Sequence, residues 1–289
     1  MIHADNAVIM SAGTSSRFAP LSYEKPKGLI RVRGEVLIER QIRQLLEAGI
    51  PEIIVVTGYK SEMFSYLEKK FGVKTVYNPD FLTRNNNSSI YAVRRYLRNT
   101  YICSSDNYFA ENVFAVPPED AYYAGMYSEG HTDEWCMREG ADGYVDGVKI
   151  GGEKTWYMLG HAFWTEEFSR RFLRILLEIY DRPDTAGMYW EDIFMQHLDE
   201  LKLKIRKYSA GSIFEFDTLD ELREFDESYR KHTGSGILES IAESLGCGEE
   251  KLVNLHAYKT ADNAASGFTF EADGVPYRYD YETQSCRRL

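Results

Sequence analysis

The sequence has no excess of positive charge. Its 34 Lys and Arg residues stand against 45 Asp and Glu, a formal net charge of −11. A nucleic-acid partner needs a basic surface to neutralise phosphates, so that class is set aside. A small anionic substrate stays compatible if cations are gathered locally. Cysteine is scarce as well: Cys103, Cys136, Cys247 and Cys286 are scattered, with no C-x-x-C pair and no metal-ligand spacing. They read as reduced thiols of a cytosolic protein. No apolar run approaches the roughly 18 residues that span a bilayer. The start, "MIHADNAVIM", has no basic region followed by a long apolar stretch, so no signal peptide is expected. A cytoplasmic location without a membrane partner follows as the expectation. The sequence also lacks G-x-x-x-x-G-K-[ST], G-x-G-x-x-G and H-E-x-x-H, which removes the common ATPase, dinucleotide and zinc-protease readings. It contains no internal repeat and no low-complexity stretch.

What is present is a chain of 289 residues, 44% apolar, enough to bury a sizeable core. "AVIM" reads as a strand, and "VLIERQIRQLLEAG" carries apolar residues at helical spacing and stops at Gly49. "EIIVVTGY" is a β-branched run of the kind covered on both faces. "SEMFSYLEKKFG" follows as a helix with Ser61 as N-cap, then the strand "VKTVYN", a helix over residues 89–98 and the strand "TYICSS". This β-α-β-α-β-α-β order predicts an α/β fold, a Rossmann-like, mostly parallel sheet with helices on both faces. Aromatic strands and turns fill residues 121–165. Helices are expected over 166–180, 191–201 and 218–230, with strands at "LKIRKY" and "SIFEFD". The character shifts after "KHTGSG", which places a domain over 1–232 and a small C-terminal α+β appendage, a helix plus a β-meander, over 233–289.

Ligands of such folds bind at the carboxyl ends of the strands. The loop after Met10, "TGYK" and "SSDN" all fall there. The first of these holds Ala12, Gly13, Thr14, Ser15 and Ser16, whose small side chains let backbone N–H groups approach a polyphosphate. Arg17 and Lys27 follow as isolated cations. The run A-G-x-x-[ST]-R-[FL], a proline three residues after the arginine and P-K-x-L resemble the signature of nucleotidyltransferases that activate phosphorylated metabolites. Those enzymes usually read G-x-G-[ST]-R, and Ser15 stands here at the second glycine. "VVTGYKSEMFSYL", "VYNPDF", "NNNSSIYAVR", "SSDN", "YWED" and "GSIFEFDTLDEL" narrow the likeness to bacterial CTP:phosphocholine cytidylyltransferases over residues 7–230.

The resemblance implies a nucleotidyltransferase fold and a Mg²⁺-dependent attack of phosphocholine on the α-phosphate of CTP. Arg17 would then contact the β- and γ-phosphates, and Lys27 the reacting phosphates. Asp106 carries over as one Mg²⁺ ligand, with Ser104 replacing the family's other acid. The second ligand is Glu191, with Asp192 as the neighbouring alternative; either acid could instead serve the first turn of a helix. Mg²⁺ takes one or two carboxylates and completes its shell with phosphate oxygens and water, which suits two acids. Gly58, Tyr59, Asn87, Ser88 and Ser89 are placed around the cytosine, although helix capping also explains the last three.

A trimethylammonium group cannot donate a hydrogen bond, so ring faces and carboxylates must hold it. Trp135, Trp156, Tyr189 and Trp190 are the candidates, with Asp133 and Glu134 beside the first. Core packing is the plainer explanation of any one of them. Two other readings stand beside this one: a sugar-1-phosphate nucleotidyltransferase, and a catalytically silent nucleotide-binding regulator motivated by Ser15 and Ser104. Phosphoethanolamine is a further possible acceptor. The tail is similar to the start of a bacterial choline kinase, with Asp262 and Asn263 near its T-N pair, and would be a remnant without a catalytic loop.

Overall fold

A computed structural model describes residues 1–260 and 265–289; Asp262 and Asn263 lie outside the described residues. The chain divides into two compact units. One combines Met1–Gly13 with Ile38–Glu215, the other Thr14–Leu37 with Phe216–Leu289.

The first unit is built on a seven-stranded sheet. Its strands are β1 (Asn6–Ser11), β2 (Ile53–Thr57), β3 (Lys74–Tyr77), β4 (Thr100–Ser104), β6 (Tyr122–Glu139), β7 (Val145–Trp164) and β8 (Lys204–Tyr208), and a short β5 (Asn107–Phe109) pairs with β9 (Ile213–Glu215) outside it. The order is β8-β6-β7-β4-β1-β2-β3. β1 lies parallel to both β2 and β4, β2 parallel to β3, and β6 parallel to β8. β7 runs antiparallel to β4 and to β6. The expected mostly parallel sheet is therefore present, with one antiparallel insertion where the aromatic middle of the chain forms a long two-stranded arm.

Helices α1 (Leu37–Glu47), α2 (Tyr66–Phe71), α3 (Asn87–Ala92), α4 (Glu166–Ile179) and α5 (Trp190–Gln196) accompany the sheet. Val8, Ile54, Val56 and Ile102 form one cluster with Ile90 of α3, Phe168, Phe172 and Leu176 of α4, and Trp190, Ile193 and Phe194 of α5. Ile9 and Val55 alternate to the other face and are equally buried. α1 is tied to the sheet by Gln41, whose amide donates to the Ser104 carbonyl at 3.0 Å. The continuous apolar runs of β1 and β2 are thus covered on both faces.

Two local expectations shift. Residues 61–64 form a 3-10 turn before α2, and Ser61 makes no cap, because Lys60 precedes the turn in left-handed conformation. Residues 218–230 hold two short helices, α6 (Leu219–Phe225) and a turn at Ser228–Lys231.

The second unit joins early and late sequence. β10 (Leu252–Lys259), β11 (Ala265–Ala272), β12 (Val275–Asp280) and β13 (Ser285–Arg288) form the antiparallel meander, in chain order. Helix α7 (Gly236–Leu245) precedes it, capped by Ser235 Oγ accepting from Leu238 N at 3.1 Å. A cut at 232/233 falls inside this unit. Arg223 of α6 is only 6% exposed, and its guanidinium donates to the carbonyls of Tyr229, Glu249 and Leu252. Tyr23 stacks on Tyr281 with centroids 3.7 Å apart, and Glu24 accepts from Ile237 N. The helix and meander belong to the unit that also carries residues 14–37.

Candidate active site

The candidate residues fall in both units, and each group stands on its own geometry. In the first unit, β1 ends between two parallel neighbours, so the Ser11–Gly13 stretch leaves the middle of the sheet. Tyr59 N donates to the Ala12 carbonyl at 3.0 Å, and Ser105 N to the Met10 carbonyl at 3.1 Å. These bonds bring together the ends of β1, β2 and β4. Gly58 has to be glycine: a Cβ there would lie 2.7 Å from the Phe81 ring and 2.8 Å from the Ala12 carbonyl. Gly13 differs, because a Cβ on it would meet nothing within 4 Å. The protein's own packing does not ask for glycine at that exposed position, whereas close approach of a ligand would.

The backbone N–H groups of residues 13–17 donate to no acceptor among the described residues. Ser15 lies in the left-handed region, at φ 47 and ψ 43, the conformation that glycine adopts freely. A serine there costs about 1–3 kcal/mol, and its carbonyl accepts from Phe18 N at 2.9 Å to close a 3-10 turn. The substitution of serine for the usual glycine therefore keeps a glycine-like bend.

Within the second unit one carboxylate serves both expected cations. Arg17 Nη1 lies 2.6 Å from Asp217 Oδ2, and Lys27 Nζ 3.9 Å from Asp217 Oδ1. Arg17 is 75% exposed and Lys27 only 5%. Asp217 is free for this because Thr218 caps α6, its Oγ1 accepting from Glu221 N at 3.2 Å. The expected helix over 218–230 hides Asp217, because in sequence either Thr218 or Asp217 could open it.

Back in the first unit, Asp106 is half-buried at the end of β4, where its Oδ1 accepts from Ser104 Oγ at 2.5 Å. Glu191 is 8% exposed. Its Oε2 accepts from Asn86 Nδ2 at 3.0 Å and its Oε1 from Tyr123 OH at 3.2 Å. Burial pushes its carboxyl up to about 7, against the lowering effect of those hydrogen bonds. Asp192 is occupied elsewhere, accepting from Tyr189 N at 2.7 Å at the start of α5. Between the two acids of "YWED", only Glu191 keeps its carboxylate for the interior. Among the described residues it makes no ion pair, so a divalent cation fits as the missing partner. No group of three or more His, Cys, Asp or Glu able to hold a metal occurs among the described residues. A Mg²⁺ completed by phosphate oxygens needs no such group.

The residues expected around a base are mostly internal. Asn87 is fully buried and donates to the carbonyls of Thr185 and Met188. Ser88 and Ser89 are 1% and 4% exposed and both accept from Asn78 Nδ2. These bonds hold α3 in place. Their neighbour Asn86, missed from sequence, is half-buried and links α3 to α5 through Trp190 N and Glu191.

The aromatic candidates separate in the same way. Trp190 is 1% exposed, packed against Trp164 and Phe172 with Tyr123 stacked at 5.5 Å, so it is a core residue and offers no face to substrate. Trp156 packs on Tyr127, and the Lys207 ammonium already sits 5.6 Å from its ring centre. Trp135 and Tyr189 do come together, edge to face at 5.6 Å and 86°, with Tyr189 44% exposed. Beside Trp190, burial chiefly, then Glu191, with Glu134 adding, raises the Tyr123 phenol well above its usual value.

Comparison with known proteins bears on the family and the fold. Residues 7–112 match the MobA-like NTP transferase domain. The 2-aminoethylphosphonate cytidylyltransferase of Lancefieldella rimae is 36% identical over 228 residues, covering 78% of this chain and 93% of that protein. The choline-phosphate cytidylyltransferase of Streptococcus pneumoniae is 31% identical over 221 residues, covering 76% and 96%. The solved CTP:phosphocholine cytidylyltransferase from Streptococcus pneumoniae superposes with a TM-score of 0.73 at 31% identity, over 77% of this chain and 98% of that one. An inositol-1-phosphate CTP transferase from T. maritima shares the fold alone, at TM-score 0.59 and 14% identity. With these chains covered almost end to end at above 30% identity, the protein is a nucleotidyltransferase and belongs to the cytidylyltransferase family.

Proposed function

We propose that the protein transfers CMP from CTP to phosphocholine, giving CDP-choline and pyrophosphate. The acceptor's phosphate oxygen forms a bond to the α-phosphorus of CTP as the bond to the bridging α–β oxygen breaks, and pyrophosphate leaves with that oxygen. No protein nucleophile is required. The N–H groups of residues 13–17, without an acceptor among the described residues, and the cations Arg17 and Lys27 are assigned to the phosphates, where positioning and charge neutralisation supply most of the rate. Asp106 and Glu191 are assigned to Mg²⁺, which neutralises phosphate charge when bound.

One observation carries the choice of acceptor. Trp135 and Tyr189 form an edge-to-face pair, part of it exposed, with Asp133 and Glu134 next to Trp135 in the chain. A quaternary ammonium gains about 0.5–2 kcal/mol per good ring contact and needs no acceptor for N–H groups. A second reading, 2-aminoethylphosphonate as acceptor, is favoured by the 36% identical relative. A primary ammonium would need hydrogen-bond acceptors at the same place, and leaving its donors unpaired carries a desolvation cost.

The test is pyrophosphate release with each NTP, crossed with phosphocholine, phosphoethanolamine, 2-aminoethylphosphonate and glucose-1-phosphate. The proposal expects CTP and phosphocholine to give the highest kcat/KM. A higher value with 2-aminoethylphosphonate would replace the acceptor, and equal use of glucose-1-phosphate would remove the cationic-headgroup assignment altogether.

A further inference from the structure

The second unit contains a cleft of about 260 Å³ lined by Ser16, Arg17, Thr218, Leu255, His256 and Lys259. It is small beside the roughly 300–1,000 Å³ of pockets that enclose whole drug-sized ligands, so its occupant is a small group or one end of a larger ligand. Its polar lining has a single character. Arg17 and Lys259 are cations, His256 offers a ring N–H, and Ser16 and Thr218 carry hydroxyl groups. In a chain of net charge −11, such a gathering is a local anion-attracting field and not a background of basic residues.

Two features show that these donors are available. Lys259 and His256 are exposed and their side chains make no ion pair or hydrogen bond among the described residues. Arg17 gives one guanidinium nitrogen to Asp217 and has others to spare, since the group carries five N–H donors. The placement of His256 and Lys259 also has a local cause. Residues three apart on a regular strand point to opposite faces. β10 has register irregularities between Val253 and His256 and again between Tyr258 and Lys259, and such bulges re-aim side chains.

We infer that β10 completes the site for the terminal phosphates of the nucleotide, with Lys259 and His256 joining Arg17 to hold the pyrophosphate group. This deepens the proposed function and rests on it for the source of the pyrophosphate. It gives the C-terminal meander a part in binding, which its reading as an appendage does not.

The test uses the full chain and inorganic pyrophosphate, titrated by calorimetry at fixed ionic strength. Losing charge-assisted hydrogen bonds to phosphate should weaken pyrophosphate binding about tenfold in Lys259→Ala and further in a variant also carrying His256→Ala. Lys259→Arg should restore it. Lys251→Ala removes the same charge from the same unit, where Lys251 pairs with Asp273, and should change binding less than twofold or so. In the kinetic arm, Lys259→Ala should raise KM for CTP and the inhibition constant of pyrophosphate together, leaving KM for phosphocholine and the affinity for CMP unchanged. Unchanged pyrophosphate binding in Lys259→Ala, or an equal loss in Lys251→Ala, overturns the inference while leaving the cytidylyltransferase reading standing. Absence of turnover with every NTP overturns that reading instead, and the calorimetry still decides whether the cleft binds pyrophosphate.

Discussion

Glu191 offers the sharpest physical test of the first unit. Its carboxyl is 8% exposed, accepts side-chain hydrogen bonds from Asn86 and Tyr123, and is raised from 4.5 to about 7 by burial. Between those two values the unfolded chain has released this proton while the native state still holds it. The native state therefore binds more protons, and stability falls as pH rises across that window. At 1.36 kcal/mol per unit, the loss is about 3 kcal/mol once pH is above 7. Glu191→Gln keeps the shape and the amide-compatible neighbours but cannot titrate. Other groups contribute equally to both proteins and cancel in the difference. In metal-free buffer with chelator, the variant should match or fall below the wild type near pH 4.5 and exceed it near pH 7.5. For a unit of this size about 2–4 °C of Tm accompanies each kcal/mol, so the Tm difference should swing by about 6–12 °C across the range. Differential scanning calorimetry at half-unit steps measures it. A difference between the two proteins that stays constant from pH 4.5 to 7.5 would refute the buried, unpaired carboxyl described here.

Arg17→Ala and Lys27→Ala should each slow pyrophosphate release by about 10²-fold or more, because the phosphates lose a fixed cation. Arg17→Ala should do so with little change in Tm, since its exposed ion pair is worth at most about 1 kcal/mol; near-normal rates in both would count against the assignment. Trp135→Ala or Tyr189→Ala should raise KM for phosphocholine by about 2–30-fold, the range of 0.5–2 kcal/mol for a cation–π contact, and leave KM for CTP nearly unchanged. Trp190→Ala should instead lower stability by about 3–5 kcal/mol through the cavity it opens, readable in denaturant midpoints. Removing residues 234–289 deprives buried Arg223 of two of its three carbonyl acceptors. The truncated chain should show faster proteolysis around residues 219–225, and unchanged protection there would contradict the shared unit.

The fold was legible where the sequence pattern and the burial have one cause. β1, β2 and β4 are short apolar runs because both faces are covered, and the strand–helix alternation leaves few topologies for a parallel sheet. The antiparallel position of β7 was not legible. Its residues alternate and bulge along a 20-residue strand, and nothing local states that it inserts between β4 and β6. The division into units escaped for a similar reason. A change in composition near residue 233 marks a change of local character, whereas compactness depends on which distant segments bury each other. Tyr23 on Tyr281 and Arg223 under Leu252 are long-range facts with no local signature.

The candidate site divides along the same line. Arg17, Lys27, Gly58 and Asp106 stand out as candidates because backbone sterics and phosphate charge constrain which residue types can stand at fixed offsets from a strand end. The burial of Asn87, Ser88, Ser89 and Trp190 was not legible, because side-chain type does not reveal exposure. An asparagine that donates to two carbonyls inside the protein reads, in sequence, the same as one facing a base. Trp190 and Tyr189 are adjacent, yet the start of α5 turns one into the core and leaves the other 44% exposed. Helical geometry also separates Glu191 from Asp192, since the residue at the third position can reach back to the open N–H of Tyr189 while the second points inward. Adjacent acids thereby acquire different chemistry, one as a cap and one as a buried carboxyl that a cation would relieve. Asp217 extends the argument. Its place between the two cations was concealed because an acid before a helix has a sufficient local explanation, and Thr218 taking the cap leaves its carboxylate to pair with Arg17 and Lys27.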